Sequence, residues 1–180
     1  IAAGHTFTTK SDTEVLLHGY EQWGVDLLQR VRGMFTFVIW DKNKQELFGA
    51  RDHFGIKPFY YAKMNGTFMY ASEIKSLLRH PDFVKELNAE ALKPYMTFQY
   101  PAIGETFFKG VYKLPEGHYF TYRDGKMDIH RYYDEDFREG KQKLGELVNS
   151  IDQTVCDSVK AHQIADVEVG SFLSSGVDSS

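Results

Sequence analysis

The feature that most constrains how this chain can fold is a change of hydrophobic period at Met34. Before it, Ser11-Asp12-Thr13-Glu14 has the form of a helix N-cap followed by acidic first-turn residues. Val15, Leu16, Tyr20 and Trp23 then recur at helical spacing, which predicts an amphipathic helix over roughly residues 12–30. After Met34, Phe35-Thr36-Phe37-Val38-Ile39-Trp40 reads as a buried strand, and Asp41-Lys42-Asn43-Lys44 as a polar turn into a second strand at 46–50. Residues 59–62 and 67–71 make a further hairpin around Asn65-Gly66, a dipeptide that suits a two-residue connection. A helix followed by alternating strands buries its apolar stripe on one face of a sheet. That sheet region is expected over roughly residues 33–133.

Further along, residues 73–79 predict a short helix stopped before Pro81, and 88–96 another helix with Asn88 as its cap. Pro101 and nearby glycines mark an irregular connection. Strands resume at 117–122 and 127–133 around Arg123-Asp124-Gly125. Residues 134–145 are charged and almost free of apolar side chains, so the domain linker falls there, dividing the chain into 1–135 and 136–180. Leu144, Leu147, Val148, Ile151, Val155 and Val159 trace one face of a long helix. It leads into an alternating stretch, residues 167–173, that reads as a strand of an α/β nucleotide-binding domain.

At 180 residues the chain holds one domain, or one and a piece, and its 42% apolar and 26% charged residues are globular values. A net charge of −4 speaks against nucleic acid or an anionic membrane as main partner. The 15% aromatic content alternates within strands without interleaved basic residues, which is sheet packing and not a base-stacking platform. One cysteine excludes an internal disulfide framework and fits a reducing cytoplasm. That residue, Cys156, falls inside the long helix and is expected to be a buried or half-buried structural thiol. No apolar run has the length of a membrane span and no signal peptide is visible. The seven histidines show no HExxH or CxxC spacing, and no metal site is read from them. The chain opens on Ile1 and closes inside a motif, which predicts a segment of a longer polypeptide.

That closing motif is Ser174-Ser175-Gly176-Val177-Asp178-Ser179-Ser180. Serine hydroxyls and bare backbone N–H groups are donors, and glycine lets the backbone approach a polyanion closely. The Gly-Lys-Ser/Thr ending of a Walker loop is missing. Ser-x-Gly-x-Asp-Ser instead resembles the pyrophosphate loop of N-type ATP pyrophosphatases, which split ATP to AMP and pyrophosphate.

A wider resemblance comes from blocks in series. Arg51-Asp52-His53-Phe54-Gly55-Ile56-Lys57-Pro58-Phe59-Tyr60-Tyr61 and Ala71-Ser72-Glu73-Ile74-Lys75-Ser76-Leu77 resemble the glutaminase domain of glutamine-dependent asparagine synthetases. Arg32-Gly33-Met34-Phe35 and Ser11-Asp12-Thr13-Glu14 fall where that family has similar signatures. Leu114-Pro115-Glu116-Gly117-His118 looks like the close of its glutaminase domain, and residues 172–180 like the ATP loop of its synthetase domain.

The resemblance implies an α+β chain: an αββα N-terminal-nucleophile hydrolase-like domain, then the first helix and strand of an α/β ATP-pyrophosphatase domain. It implies a ligase that hydrolyses glutamine and passes the ammonia to β-aspartyl-AMP, giving asparagine, glutamate, AMP and pyrophosphate. ATP with Mg2+ is then the substrate complex, and no tightly bound cofactor is expected. The partners implied are glutamine, aspartate and ATP, with homo-oligomerisation left open. Asp12 would pair with the α-ammonium of glutamine, unless it is only a first-turn carboxylate favoured by the helix dipole. Ser11 would either hold that loop or cap the helix. Leu173 would meet the adenosine end, Ser174, Ser175, Gly176, Ser179 and Ser180 would hold pyrophosphate, and Asp178 would orient the loop or meet Mg2+. Arg51 and Asp52 read as an ion pair fixing a turn, or as part of the glutamine pocket or tunnel.

The departures are specific. The family's N-terminal cysteine nucleophile is missing from this sequence, and so is the Asn-Gly pair that the family places just upstream of Ile1. No catalytic residue is therefore assigned within the chain, which taken alone is expected to be inactive. Ser175 stands where many members have glycine. Two rival readings share the motifs: a related amidotransferase or β-lactam synthetase-like ligase, and a non-catalytic module of the glutaminase fold.

Overall fold

The computed structural model describes residues 4–100 and 102–177. They fall into two compact units, residues 1–135 and 136–180. In the first, helix α1 runs Asp12–Trp23 and is followed by a 3-10 turn, Gly24–Gln29. The continuous helix expected to residue 30 is thus broken at Gly24. Its φ of 56° lies outside the right-handed helical region, and glycine adopts it without a Cβ penalty. The reversal lets the 3-10 turn press Leu27 and Leu28 inward, where both are almost fully buried.

Among the described residues seven strands follow, forming two antiparallel sheets. Strands β1 (Thr36–Asp41), β2 (Glu46–Arg51), β6 (His118–Arg123) and β7 (Lys126–Arg131) make a four-stranded sheet in that order. Strands β3 (Tyr60–Met64), β4 (Thr67–Ala71) and β5 (Val111–Lys113) make a three-stranded sheet in the order β4-β3-β5. Asn65 and Gly66 take φ of 49° and 81°, the left-handed values that the tight β3–β4 connection requires. β5 was not expected: three residues are too few to show a period.

The strand alternation sorts side chains into three cores. Phe37, Ile39, Phe48, Ala50 and Tyr119 pack with Leu16 and Tyr20 of α1 and with Leu27 and Leu28. The residues of opposite parity, Val38, Leu47, Phe120 and Tyr122, meet Phe59, Tyr61 and Phe68 from the smaller sheet. The other face of that sheet, with Ala62 and Met69, packs on Ile74 and Leu77 of α2 (Ile74–Leu77). The layering is helix, sheet, sheet, helix, the αββα arrangement the resemblance implied. Trp40, read as part of a buried strand, is 48% exposed, because it points away from the α1 core at the end of β1.

Two further short elements lie between β4 and β5 of the smaller sheet. A 3-10 turn, Ala89–Ala91, is capped by Asn88, whose side chain accepts from the Glu90 N–H. It leads into α3 (Leu92–Phe98). In the second unit, α4 (Leu144–His162) carries Leu147, Val148, Ile151, Val155 and Val159 along one side. The strand expected over residues 167–173 is not formed. A strand needs a neighbour for its N–H and C=O groups, and no described residue pairs with this stretch.

Candidate functional site

Ser11 caps α1: its Oγ accepts from the Thr13 N–H at 3.2 Å. Asp12 opens the helix with an exposed carboxylate. Among the described residues its hydrogen-bond partner is the Ser11 hydroxyl at 3.5 Å, so most of its acceptor capacity faces outward. The loop before it is held by Glu14, one turn into the helix. That carboxylate accepts from the backbone N–H groups of Thr8 and Thr9, both at 2.7 Å, and from both threonine hydroxyls. The hydroxyl of Thr9 and the backbone of Thr8 lower the Glu14 pKa from 4.5 to about 2. The cap motif by itself marks Glu14 only as a first-turn acid. Threonines at positions 5 and 6 before a glutamate in a cap motif were the available signal.

The sign of the Glu14 effect follows from its lowered value. It stabilises the folded state above pH 4.5, and the contribution is lost as pH falls from there toward 2. Glu14→Gln should therefore melt below the unmodified protein near neutral pH and converge with it toward pH 2. Thermal melts across that range check this. A constant gap at all pH values would mean that Glu14 acts without its charge.

At the end of β2, Arg51 and Asp52 are 2% and 1% exposed. They make no ion pair with each other, contrary to expectation; each binds backbone instead. Arg51 donates from Nε to the Lys57 carbonyl at 2.7 Å, from Nη1 to Leu114 O at 2.7 Å, and from Nη2 to Gly55 O. Asp52 accepts from the N–H groups of Ile56 and Lys57, both at 2.9 Å, and of Phe54 at 3.3 Å. The planar fork of arginine fits carbonyls facing it from different segments, and the carboxylate collects the N–H groups of a tight turn. Backbone N–H and C=O groups of Asp52 are taken as well, by Phe35 O at 2.9 Å and by Gly117 N at 2.9 Å. The pair is a structural hub joining β2, the 53–58 turn and the 114–117 segment.

Tyr132 completes it by donating to Arg51 O at 2.8 Å. Burial, reinforced by the Asp52 charge, pushes the phenol above its ordinary range, so it stays a neutral donor. Burial also pulls Arg51 below its ordinary value. Tyr132→Phe leaves a carbonyl without its donor and should cost about 1–2 kcal/mol in urea unfolding. A difference below ~0.3 kcal/mol would show that water replaces the hydroxyl.

In the second unit, Leu173, Ser174, Ser175 and Gly176 are exposed, and the Gly176 N–H is donated to Ser174 Oγ at 3.3 Å. Asp178, Ser179 and Ser180 lie outside the described residues. Cys156, expected to be buried or half-buried, is exposed on α4. Within its unit the helix has no second layer among the described residues to cover that side.

The sequence pattern of the family described as "Glutamine amidotransferase domain" matches residues 1–133, and that of "Asparagine synthase" matches residues 150–180. Asparagine synthetase [glutamine-hydrolyzing] 1 of Bacillus subtilis is 43% identical over 180 residues, which cover 99% of this chain and 28% of that protein. Asparagine synthetase [glutamine-hydrolyzing] 3 of the same organism is 35% identical, over 99% of this chain and 29% of its own length. The chain thus spans less than a third of these relatives. A solved allosteric regulatory enzyme of purine biosynthesis shares the fold, with a TM-score of 0.50 and 20% identity over 74% of this chain and 24% of that one. The fold is that of an N-terminal-nucleophile amidotransferase domain, and the chain belongs to the glutamine amidotransferase domain family. Its similarity to glutamine-hydrolysing asparagine synthetases runs from end to end.

Proposed function

We propose that this chain is part of an ATP-dependent asparagine synthetase that draws its nitrogen from glutamine. Residues 1–135 are read as the C-terminal part of the glutaminase domain, and 136–180 as the linker and the beginning of the ATP-binding domain. The observation that carries the reading is the succession of two family matches along one chain, amidotransferase then asparagine synthase, together with 43% identity to a glutamine-hydrolysing asparagine synthetase over 99% of this chain. Glutamine plus water gives glutamate and ammonia. Aspartate plus ATP gives β-aspartyl-AMP and pyrophosphate, and ammonia then displaces AMP to form asparagine.

Within that reading, the exposed Asp12 carboxylate at the capped start of α1 receives the glutamine α-ammonium, and Ser11 and Glu14 fix its loop from either side. Leu173, Ser174, Ser175, Gly176, Asp178, Ser179 and Ser180 line the ATP end, with Asp178 toward Mg2+, in a cytoplasmic enzyme. Arg51 and Asp52 are fully engaged with backbone, which supports a structural role for them over a contact with glutamine. The test is product analysis of the full-length protein with glutamine, aspartate and Mg-ATP. Asparagine, glutamate, AMP and pyrophosphate should rise together. Glutamate release with no aspartate-dependent pyrophosphate would overturn the ligase reading.

A further inference from the structure

We infer that His5, His18 and Glu21 form a binding site for one divalent transition-metal ion of the zinc type. One nitrogen from each imidazole and one oxygen from Glu21 lie within 4.8 Å of one another. Glu21 Oε2 is the meeting point, 2.9 Å from His18 Nδ1 and 3.5 Å from His5 Nδ1. A tetrahedral ion with ligands about 2.0–2.2 Å away sets its ligand atoms roughly 3.3–3.5 Å apart. The two observed edges bracket that range, and the third, between the two imidazole nitrogens, is within 4.8 Å.

The contacts of the outer nitrogens point the same way. The outer nitrogens are also turned to acceptors: His5 Nε2 to Gln22 Oε1 at 3.2 Å, and His18 Nε2 to Glu14 Oε1 at 3.7 Å. With the outer nitrogens turned to these acceptors, the Nδ1 atoms of both rings face the same Glu21 carboxylate oxygen, a convergent set of two nitrogens and one oxygen that one divalent cation can take. The outer contacts are then of the carboxylate- or amide-to-histidine type that fixes the tautomer of metal-bound imidazoles. Two nitrogens and one carboxylate favour zinc, copper, nickel or cobalt over magnesium and calcium.

His18, Glu21, Gln22 and Glu14 all come from α1, at spacings of three and four that put them on one side of a helix. His5 comes from the segment before it, so the ion would tie that segment to α1. A separation of 13 residues between the histidines matches no short spacing pattern, so the sequence alone does not mark a site there.

The test is titration of the full-length protein with Co2+, followed by the visible absorption of a low-coordinate cobalt centre, then displacement by Zn2+. One equivalent should bind. His5→Ala and His18→Ala should each weaken it at least about tenfold, while His162→Ala leaves it unchanged. Mg2+ in excess should not compete. His5 lies in an exposed segment, so its variant keeps the test valid if His18→Ala disturbs α1. Absence of a one-equivalent cobalt signal, or a signal that survives both substitutions, would overturn the proposal.

Discussion

Arg51→Met should lower the melting temperature of the amidotransferase unit by roughly 12–20 °C, corresponding to about 3–5 kcal/mol. Methionine fills a similar volume, so the loss isolates the guanidinium. Three carbonyls, those of Gly55, Lys57 and Leu114, lose their donor at once in a place the solvent does not reach. Each charge-assisted bond contributes about 1.5–3 kcal/mol net, but three at one side chain do not add independently. Arg51→Lys should recover only part of the loss, because one ammonium cannot reach carbonyls that converge on a planar fork from separate directions. Calorimetry on the three proteins decides the point. A fall of under about 3 °C in the methionine variant would mean that the turn relaxes and water reaches the carbonyls.

That hub marks the limit of what the sequence discloses. The change of period at Met34 located the sheets, because alternation is a local property of the chain, whereas the sorting of Phe48 from Leu47 and of Phe37 from Val38 into two cores is seen only in the structure. Arg51 and Asp52 were visible as an unusual pair, but the ion pair expected between neighbours was replaced by bonds to residues as distant as Leu114, 63 positions away. Period reports which face a side chain takes, not which partner it finds. The same reason accounts for the break at Gly24, where burial of Leu27 and Leu28 prevails over a helical pattern that continues on paper. It also accounts for residues 167–173, whose alternating side chains describe a strand that pairs with no described segment. The cap at Ser11 was legible because it acts within two residues, whereas the four bonds into Glu14 depend on how the preceding loop turns back.

Asp12→Asn should reduce glutamine-dependent kcat/KM of the full-length protein roughly 30- to 150-fold while leaving ammonia-dependent synthesis nearly unchanged. The expectation rests on the proposed pairing of this carboxylate with the glutamine α-ammonium, a charge-assisted contact whose loss costs on the order of 2–3 kcal/mol. Asparagine keeps the shape and can still accept from the Ser11 hydroxyl, and the cap itself is made by Ser11 to Thr13 without Asp12. Removing a first-turn charge costs the helix about 0.3–1 kcal/mol, too little to unfold a layered domain. Ammonia supplied from solution bypasses glutamine hydrolysis and requires only the aspartyl-AMP chemistry, so the ratio of the two activities separates binding from folding. Equal loss with both nitrogen sources would assign Asp12 to the stability of α1. Full retention of both would remove it from the glutamine contact and leave the outward-facing carboxylate as a helix-start charge alone.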